Sequence, residues 1–331
     1  MNMDMSSNSM GANGLRKTPL TGAQKLREKK RRAAGWKASI PLFALAAPAL
    51  IYVFIFNYLP MIGSVMAFQN FKPSRGIFNS EFIGFENFEF IFSSQGFGAV
   101  LWNTVGYHIA FFVLQTIAAI FIALMLYEIT GRRKVKLYQS SMLLPNFISW
   151  VLVAYIVFTF LSHEQGLLNR FFESLGLSTV KWYSEPKYWP VILAVTSVWK
   201  SFGQASVLYY AALMGLDESL FEAAKIDGAG RFKRMWHISM PSLMPIISIL
   251  SILAMGSLMS NDIGLFFQVP LQSSALFSTT DVINTYVTRA LLTQNYAIGS
   301  AVGLFQSVVG MVMILTTNGI IRRISPDKAM F

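Results

Sequence analysis

The chain has 331 residues, of which 54% are hydrophobic and only 13% are charged, with a mean hydropathy of +0.49. Soluble domains carry about a quarter charged residues, so this composition excludes the ordinary soluble classes and predicts an integral membrane protein. The absence of cysteine excludes disulfides and thiolate chemistry, and His108, His163 and His237 are too far apart in sequence to suggest a metal cluster, so no cofactor is expected.

The chain begins with a basic segment ahead of its first hydrophobic run. The stretch LREKKRRAAGWK, residues 26–37, precedes an apolar run that starts near Ile40 and meets no charged residue before Lys72. About 20 apolar residues suffice to cross a bilayer. A signal peptide would have a shorter apolar region nearer the first residue. We therefore predict an uncleaved membrane helix, preceded by a basic cytoplasmic tail over residues 1–39.

Five further hydrophobic runs follow, which together predict six membrane spans. They lie at about 100–127, 140–162, 189–214, 242–262 and 297–321. Six spans put both termini on one side of the membrane. Of the 27 Lys and Arg residues, 20 fall in tails and loops on that side and six on the other, so the positive-inside rule makes that side cytoplasmic. The predicted fold is an all-α membrane protein with a transmembrane domain over 40–321 and a cytoplasmic tail over 322–331.

The same distribution argues against a nucleic-acid partner, in spite of the net charge of +11. Basic residues beside a first span are what membrane orientation and anionic lipid headgroups require. Membrane lipids, and no nucleic acid, are therefore the expected partners of the basic tail.

Residues 215–241, GLDESLFEAAKIDGAGRFKRMWHISMP, form a charged, glycine-punctuated loop between the fourth and fifth runs. Asp217 can cap a short helix, Gly228 permits a turn, and a second short helix should end before Pro241. The pattern predicts a helix, turn, helix knob on the cytoplasmic face. From the residues alone, two interpretations stay open, a knob that docks a partner and a hairpin that lies on lipid headgroups.

This loop resembles the EAA signature of the permease subunits of binding-protein-dependent ABC importers. The signature has the form E-A-A, three residues, G and, after an interval, an apolar residue and P. The matching residues here, with the adjacent aspartate typical of carbohydrate importers, are Glu222, Ala223, Ala224, Asp227, Gly228 and Pro241. Outside the loop, stretches such as LLPNFISWVLVA and DVINTYVTRAL resemble the oligosaccharide and polysaccharide branch related to the maltose permease.

The resemblance implies a multi-pass permease in a bacterial inner (plasma) membrane. Its implied partners are a second permease subunit, two ATPase subunits, an extracytoplasmic solute-binding protein and an oligo- or polysaccharide substrate. In this family the EAA loop sits in a cleft of the ATPase, where Glu222 would form a charge pair. The sequence itself also indicates that this chain is not a P-loop ATPase, because it contains no GxxxxGK[ST] phosphate loop.

Polar residues within or beside the predicted spans are candidates for the substrate path. Lys200 falls about ten residues into the fourth span, where an unpaired cation is unfavourable and marks a functional candidate. A structural alternative stays open, in which Lys200 pairs with a carbonyl and the other polar groups satisfy contacts between helices. The candidates are Trp199, Lys200, Gln204, Asn261, Asp262 and Gln306.

Two more patterns concern surfaces. Gly299, Gly303 and Gly310 share one face of the last span, which favours close packing against another helix of this chain or of the partner permease. Within the predicted outer loop 163–188, HEQGLLNRFFESLGL predicts a short amphipathic helix at the membrane interface or against the binding protein.

Two other classes of function remain as alternatives. In an ion-gradient-driven secondary transporter, His108, Glu128 and Glu164 would be candidates for proton coupling, and transport would survive ATP depletion. A membrane-anchored enzyme would need clustered catalytic groups, and no such spacing is recognisable.

Overall fold

A computed structural model describes residues 41, 43–94, 96–129 and 131–324 of the chain. The basic segment at 26–37 and the residues after 324 lie outside the described residues, so the assignment of two cytoplasmic tails stays a prediction. The chain forms two compact units, one up to Ile62 and one from Gly63 onward.

Most of the described residues are helical. Two strands of two residues each, β1 (Gln69–Asn70) and β2 (Glu81–Phe82), pair antiparallel in the second unit. The helices are α1 (Phe43–Phe68), α2 (Gly76–Asn79), α3 (Glu86–Ser93), α4 (Phe97–Tyr127), α5 (Arg132–Phe147), α6 (Trp150–Leu161), α7 (Leu167–Ser174), α8 (Trp189–Met214), α9 (Glu218–Ile226), α10 (Arg231–Arg234), α11 (Met240–Gly256), α12 (Ile263–Gln268), α13 (Phe277–Thr280), α14 (Ile283–Leu292) and α15 (Tyr296–Ile324).

Among the described residues, five helices are each long and apolar enough to cross a membrane: α1, α4, α8, α15 and the continuous helix formed by α10 and α11. The predicted spans at 100–127, 189–214 and 297–321 are confirmed to within a few residues. In the first unit the large apolar side chains of α1, such as Tyr52 and Phe56, are exposed, as expected of a surface that meets lipid.

The apolar run predicted at 140–162 falls in a bent pair of helices, which together are long and apolar enough for a sixth span. Within the pair α5 and α6 meet at an angle of 92°. Ile148 and Ser149, the two residues between them, have extended backbone, and the Ser149 hydroxyl accepts a hydrogen bond from the backbone N–H of Leu152, which begins a new helix. Pro145 in the last turn of α5 favours the break, because it cannot donate a helical hydrogen bond.

The fifth span begins earlier than predicted, at Arg231, and ends at Gly256. The second short helix of the 215–241 loop therefore does not end before Pro241 but continues into the membrane. Pro241 falls in the first turn of α11, directly after a wide helical turn over Met235–Ser239. A widened turn accommodates the missing N–H and the bulk of the proline ring, so the helix continues.

Residues 263–296 follow the predicted fifth run and precede the sixth, so the sequence predicts an outer loop there; the structure shows that they contain α12, α13 and α14 and contribute to the protein interior. Phe266 of α12 and Ile283 of α14 are 2% and 0% exposed. Phe266 packs on Tyr107 and Phe111 of α4, with ring centroids 5.1 and 6.0 Å apart. The apolar residues that the sequence spreads over this segment are therefore core residues.

Candidate functional site

The loop between α8 and α11 is built around Gly228. The N–H of Gly228 donates to the carbonyl of Lys225, and the N–H of Ala229 donates to that of Ala224, which together end α9 in a Schellman motif. Gly228 has φ +76°, a value that favours glycine. The glycine of the EAA signature therefore has a local structural task, because it turns the chain from α9 into α10.

Most of the EAA signature is exposed on this loop. The side chain of Glu222 is exposed and makes no ion pair with any residue that the structure describes. Large apolar side chains are exposed on the same loop: Ile226 is 87%, Phe232 78% and Trp236 62% accessible. Phe221, in contrast, is buried against Tyr127 of α4, with their ring centroids 5.4 Å apart. The loop thus has one anchored aromatic residue, and its exposed side chains, called its free face below, include the Glu222 carboxylate and large apolar groups.

Asp217 caps the start of α9, as predicted. Its carboxylate accepts a hydrogen bond of 2.9 Å from the backbone N–H of Ser219, and this bond holds the pKa of the carboxyl below its ordinary value. A lowered pKa in the folded state means that the cap stabilises α9 above the unfolded pKa and is lost as the pH falls through the folded one.

We expect α9 to exchange its amide hydrogens faster at about pH 3 than at about pH 6, after correction for intrinsic exchange rates. Asp217→Asn should remove this pH dependence, because asparagine caps without titrating. Asp217→Ala should give fast exchange at both pH values. Hydrogen–deuterium exchange on the purified complex measures all three, and an equal pH dependence in Asp217→Asn would contradict the assignment.

Lys200 lies where α5, α6 and α8 meet. Its side chain is buried, and Nζ donates hydrogen bonds to the carbonyls of Pro145, Asn146 and Ile148, at 3.1, 2.9 and 2.5 Å. These carbonyls belong to the end of α5 and to the break, where the regular helical donors are missing; the Pro145 carbonyl also accepts from the backbone N–H of Ile148. An ammonium group has three donors, and all three are used. The structure therefore places Lys200 as the cap of the bent pair, with its charge toward the negative end of α5.

Trp150 and Asp262 extend this arrangement to α12. The ring of Trp150 lies under Lys200, 5.1 Å from Nζ, and its Nε1 donates a hydrogen bond of 2.8 Å to Asp262 Oδ2. The other oxygen of Asp262 accepts from the backbone N–H of Gly264 and so caps α12. A Cβ atom at Gly264 would overlap the Trp150 ring, so only glycine fits there. The bend of α5 and α6 is thus connected to the start of α12.

A polar cavity of about 320 Å³ lies beside this arrangement. Asn261 and Asp262 line it, and Trp199, Lys200, Gln204 and Gln306 contribute no side chain to it. The other groups that line it include hydrogen-bonding side chains and aromatic rings: His108, Phe111, Phe112, Gln115, Trp150, Ser197, Ser201, Ser260 and Phe266. The cavity combines polar groups with flat apolar surfaces.

Gln306 and Asn261 hold the backbone between α11 and α12. Gln306 donates to the carbonyl of Met259 and to the side chain of Asn284, while Asn284 donates to the carbonyl of Asn261. The Asn261 side chain in turn donates to the carbonyl of Thr104 in α4. Gln306 also borders a second cavity, of about 510 Å³, between α11 and α15.

Two of the three glycines named on the last span lie close to other helices of this chain. A Cβ atom at Gly310 would lie 2.9 Å from the carbonyl oxygen of Gly256, and one at Gly299 would lie 3.1 Å from the Leu291 side chain. Gly303 has no described atom within 4 Å of the corresponding position. A role of Gly303 in packing against a partner permease stays a prediction.

Sequence reasoning missed three residues that the structure makes prominent. A Cβ atom at Gly203 of α8 would lie 1.9 Å from the carbonyl oxygen of Met142 in α5, so the two helices touch at this glycine. Nothing in the sequence around Trp150 indicates its hydrogen bond to Asp262. Glu128, considered only for proton coupling, contacts two arginines of the loop. Ser149, a capping residue inside an apolar run, was an available signal for the break.

Comparison with known proteins gives a consistent result. Residues 111–329 match the family described as "Binding-protein-dependent transport system inner membrane component". Protein LplB of Bacillus subtilis is 34% identical over 302 residues, which cover 89% of this chain and 94% of LplB. The polygalacturonan/rhamnogalacturonan transport system permease protein YteP of the same organism is 30% identical over 287 residues, which cover 86% of this chain and 89% of YteP.

A solved structure agrees over nearly the whole fold. One chain in the crystal structure of a bacterial ABC transporter, involved in the import of the acidic polysaccharide alginate, superposes with a TM-score of 0.80. Its sequence is 32% identical, and the match covers 89% of this chain and 99% of that one.

Proposed function

The chain belongs to the inner membrane components of binding-protein-dependent transport systems, and on this premise we propose that it carries acidic oligo- or polysaccharides across the membrane by alternating access. It is a non-catalytic, multi-pass permease subunit of an ABC importer in the inner membrane. ATP is hydrolysed by two partner ATPase subunits that dock on the 215–241 loop, and a second permease subunit completes the pore. The extracytoplasmic binding protein delivers the substrate.

The free face of the 215–241 loop is the observation that carries the coupling proposal. Glu222, an exposed carboxylate with no ion pair to any described residue, belongs to the same loop as Ile226, Phe232 and Trp236, three large apolar side chains that are mostly accessible. An exposed apolar patch with a polar rim is typical of a protein interface. The adjoining Ala223 and Ala224 have small side chains, which let the backbone of a partner approach closely. Glu222 is the residue that we expect to pair with a cation of the ATPase.

Acidic sugars are the substrate class that the relatives favour. YteP is described as a polygalacturonan/rhamnogalacturonan permease and the structural relative as an alginate importer. In this chain, the cavity beside Trp150 offers hydroxyl, amide and imidazole groups next to aromatic rings. Such a lining suits a pyranose, which has an apolar face and hydroxyl groups at its edge. Asn261 and Asp262 are the proposed path residues in this cavity; Gln306 borders the second one.

The bend between α5 and α6, at Ile148 and Ser149, lies beside this cavity and is called the hinge below. A movement at the hinge would change the shape of the substrate path. Lys200, Trp150 and Asp262 connect the bent pair to α8 and α12. A movement of α8 relative to α5 would therefore move the cavity wall. In this proposal Lys200 acts on the substrate path through the helices that it holds, and Trp199 and Gln204 lie on the same helix near the bend.

The coupling proposal is tested with the importer complex purified with its partners and reconstituted with binding protein. We expect Glu222→Ala and Gly228→Pro to abolish stimulation of ATP hydrolysis by loaded binding protein, because the first removes the charge and the second cannot adopt φ +76°. Glu173→Ala, at an exposed glutamate of the short helix α7, is the matched control and should retain stimulation. Full stimulation in an assembled Gly228→Pro complex would contradict the proposal.

The same assay identifies the substrate class. Binding protein loaded with acidic oligosaccharides should stimulate ATP hydrolysis, and neutral ones should not. Uptake that survives ATP depletion and follows an ion gradient would instead support the secondary transporter.

A further inference from the structure

Two consecutive residues at the end of α4 contact both arms of the 215–241 loop. The ring of Tyr127 packs on the buried Phe221 of α9. Glu128 Oε2 lies 3.5 Å from Arg231 Nε and 3.8 Å from Arg234 Nη2, both in α10. The two arms lie on opposite sides of Gly228, so the end of α4 is in contact with the loop before and after its turn.

The two arginines are not equivalent. The Arg231 side chain is 76% exposed, so its ion pair with Glu128 is screened by water and contributes little. The side chains of Arg234 and Glu128 are only 11% and 20% exposed. Arg234 Nη1 also donates a hydrogen bond of 3.0 Å to the carbonyl of Ala229, next to Gly228. Arg234 therefore holds the turn and the end of α4 at the same time.

The position of Glu128 is unfavourable for α4 itself. A carboxylate at the carboxyl end of a helix lies at the negative end of its dipole, which disfavours it. Helix stability therefore does not explain a glutamate at this position. The two arginines of the loop do explain it, because they neutralise the carboxylate where it is mostly shielded from water.

We propose that Glu128 and Arg234 form a clamp that makes α4 move together with the coupling loop. The clamp, defined by these two residues, rests on the proposed coupling role of the loop. Without it, the loop would contact α4 only through the packing of Phe221 on Tyr127, in the arm before Gly228. With it, the arm after Gly228 also moves α4, which carries His108, Phe111 and Gln115 in the wall of the polar cavity. Glu128 and Arg234 are positioning residues, and they transmit movement to that wall.

A distance measurement tests the clamp directly. The chain has no cysteine, so pairs of introduced cysteines can be spin-labelled without background from this subunit. With labels at Met125 of α4 and Lys233 of α10, both exposed, we expect the same distance in the nucleotide-free and ATP-bound complexes. In the Glu128→Gln background the two states should give different distances, because α10 then moves without α4.

A transport measurement supplies the functional readout. Glu128→Gln and Arg234→Gln should lower the number of substrate molecules transported per ATP hydrolysed by on the order of tenfold, within the range of couplings between sites in proteins. Arg231→Gln is the matched control and should leave this ratio within about twofold, since its pair is exposed. If Arg234→Gln does not assemble, Arg234→Lys keeps the charge and loses the double contact.

The outcomes of these experiments distinguish the clamp proposal from the proposed coupling role of the loop. An unchanged transport ratio together with state-independent distances in Glu128→Gln overturns the clamp. If Glu222→Ala uncouples transport while Glu128→Gln does not, the clamp is wrong and the docking loop stands. If Glu222→Ala also transports normally, the coupling role of the loop is wrong as well. A fall in transport and ATP hydrolysis in equal proportion would indicate a structural role only, and would also overturn the clamp.

Discussion

Replacing Lys200 by methionine is expected to destabilise the folded complex by about 2–4 kcal/mol, because each buried acceptor left without a donor is unfavourable by about 1–3 kcal/mol. The carbonyls of Asn146 and Ile148 lose the Lys200 donor, and that of Pro145 keeps only its bond from the backbone N–H of Ile148. Removal of the buried charge offsets part of this loss. Methionine has a similar length and no donor, so the change isolates the hydrogen bonds from the packing of the side chain.

The measurement is the thermal unfolding midpoint of the purified complex without substrate. Lys187→Met is the matched control, since the Lys187 side chain is 66% exposed and its ion pair with Glu185 lies at the surface. We expect a clear fall in the midpoint for Lys200→Met and almost none for Lys187→Met. A residue that only contacts the substrate would leave the midpoint of the empty complex unchanged, and that result would contradict the capping role.

Hydropathy predicted the long spans because a helix in lipid must satisfy its backbone hydrogen bonds internally and present apolar side chains to the lipid. It could not predict the bend between α5 and α6, since the apolar run continues through it. The helix ends there for local reasons, at Pro145 and Ser149, and the exposed carbonyls are then satisfied by Lys200, 52 to 55 residues away. A contact between distant segments leaves no periodic signal in either of them.

The turn of the coupling loop was predictable from local chemistry, and its second arm was not. Asp217 and Gly228 act within two to four residues of themselves, as a cap and as a Schellman glycine. Pro241 was interpreted as the end of a helix, but a proline in the first turn of a helix, after a widened turn, lets the chain continue. The sequence alone does not distinguish these two contexts of proline.

The segment 263–296 shows a different limit of prediction from hydropathy. Its apolar residues are divided among three short helices, each of them too short to produce a hydropathy signal of its own. They are buried because they pack against α4, a long helix more than 150 residues earlier in the chain. Short elements of this kind are stabilised by tertiary contacts more than by their own propensity.

Replacing Gly203 by alanine should disrupt the contact between α5 and α8 on which the hinge depends. A Cβ atom there would lie 1.9 Å from the carbonyl oxygen of Met142, which belongs to the backbone and cannot turn away as a side chain does. The two helices would have to separate, and overpacking of this kind destabilises by about 1–3 kcal/mol or more. Separation would also pull Lys200, three residues earlier on α8, away from the carbonyls that it caps.

Gly106→Ala in α4 is the matched control, because no described atom lies within 4 Å of the corresponding Cβ position. In that helix, alanine is favoured over glycine by about 1 kcal/mol, so this variant should unfold at the same temperature as the parent or higher. Gly203→Ala should unfold at a lower temperature and lose transport, since α8 can then no longer move the bent pair with it. Equal midpoints for the two variants would show that α5 and α8 are not in contact at Gly203, and the hinge would then have to depend on Lys200 alone.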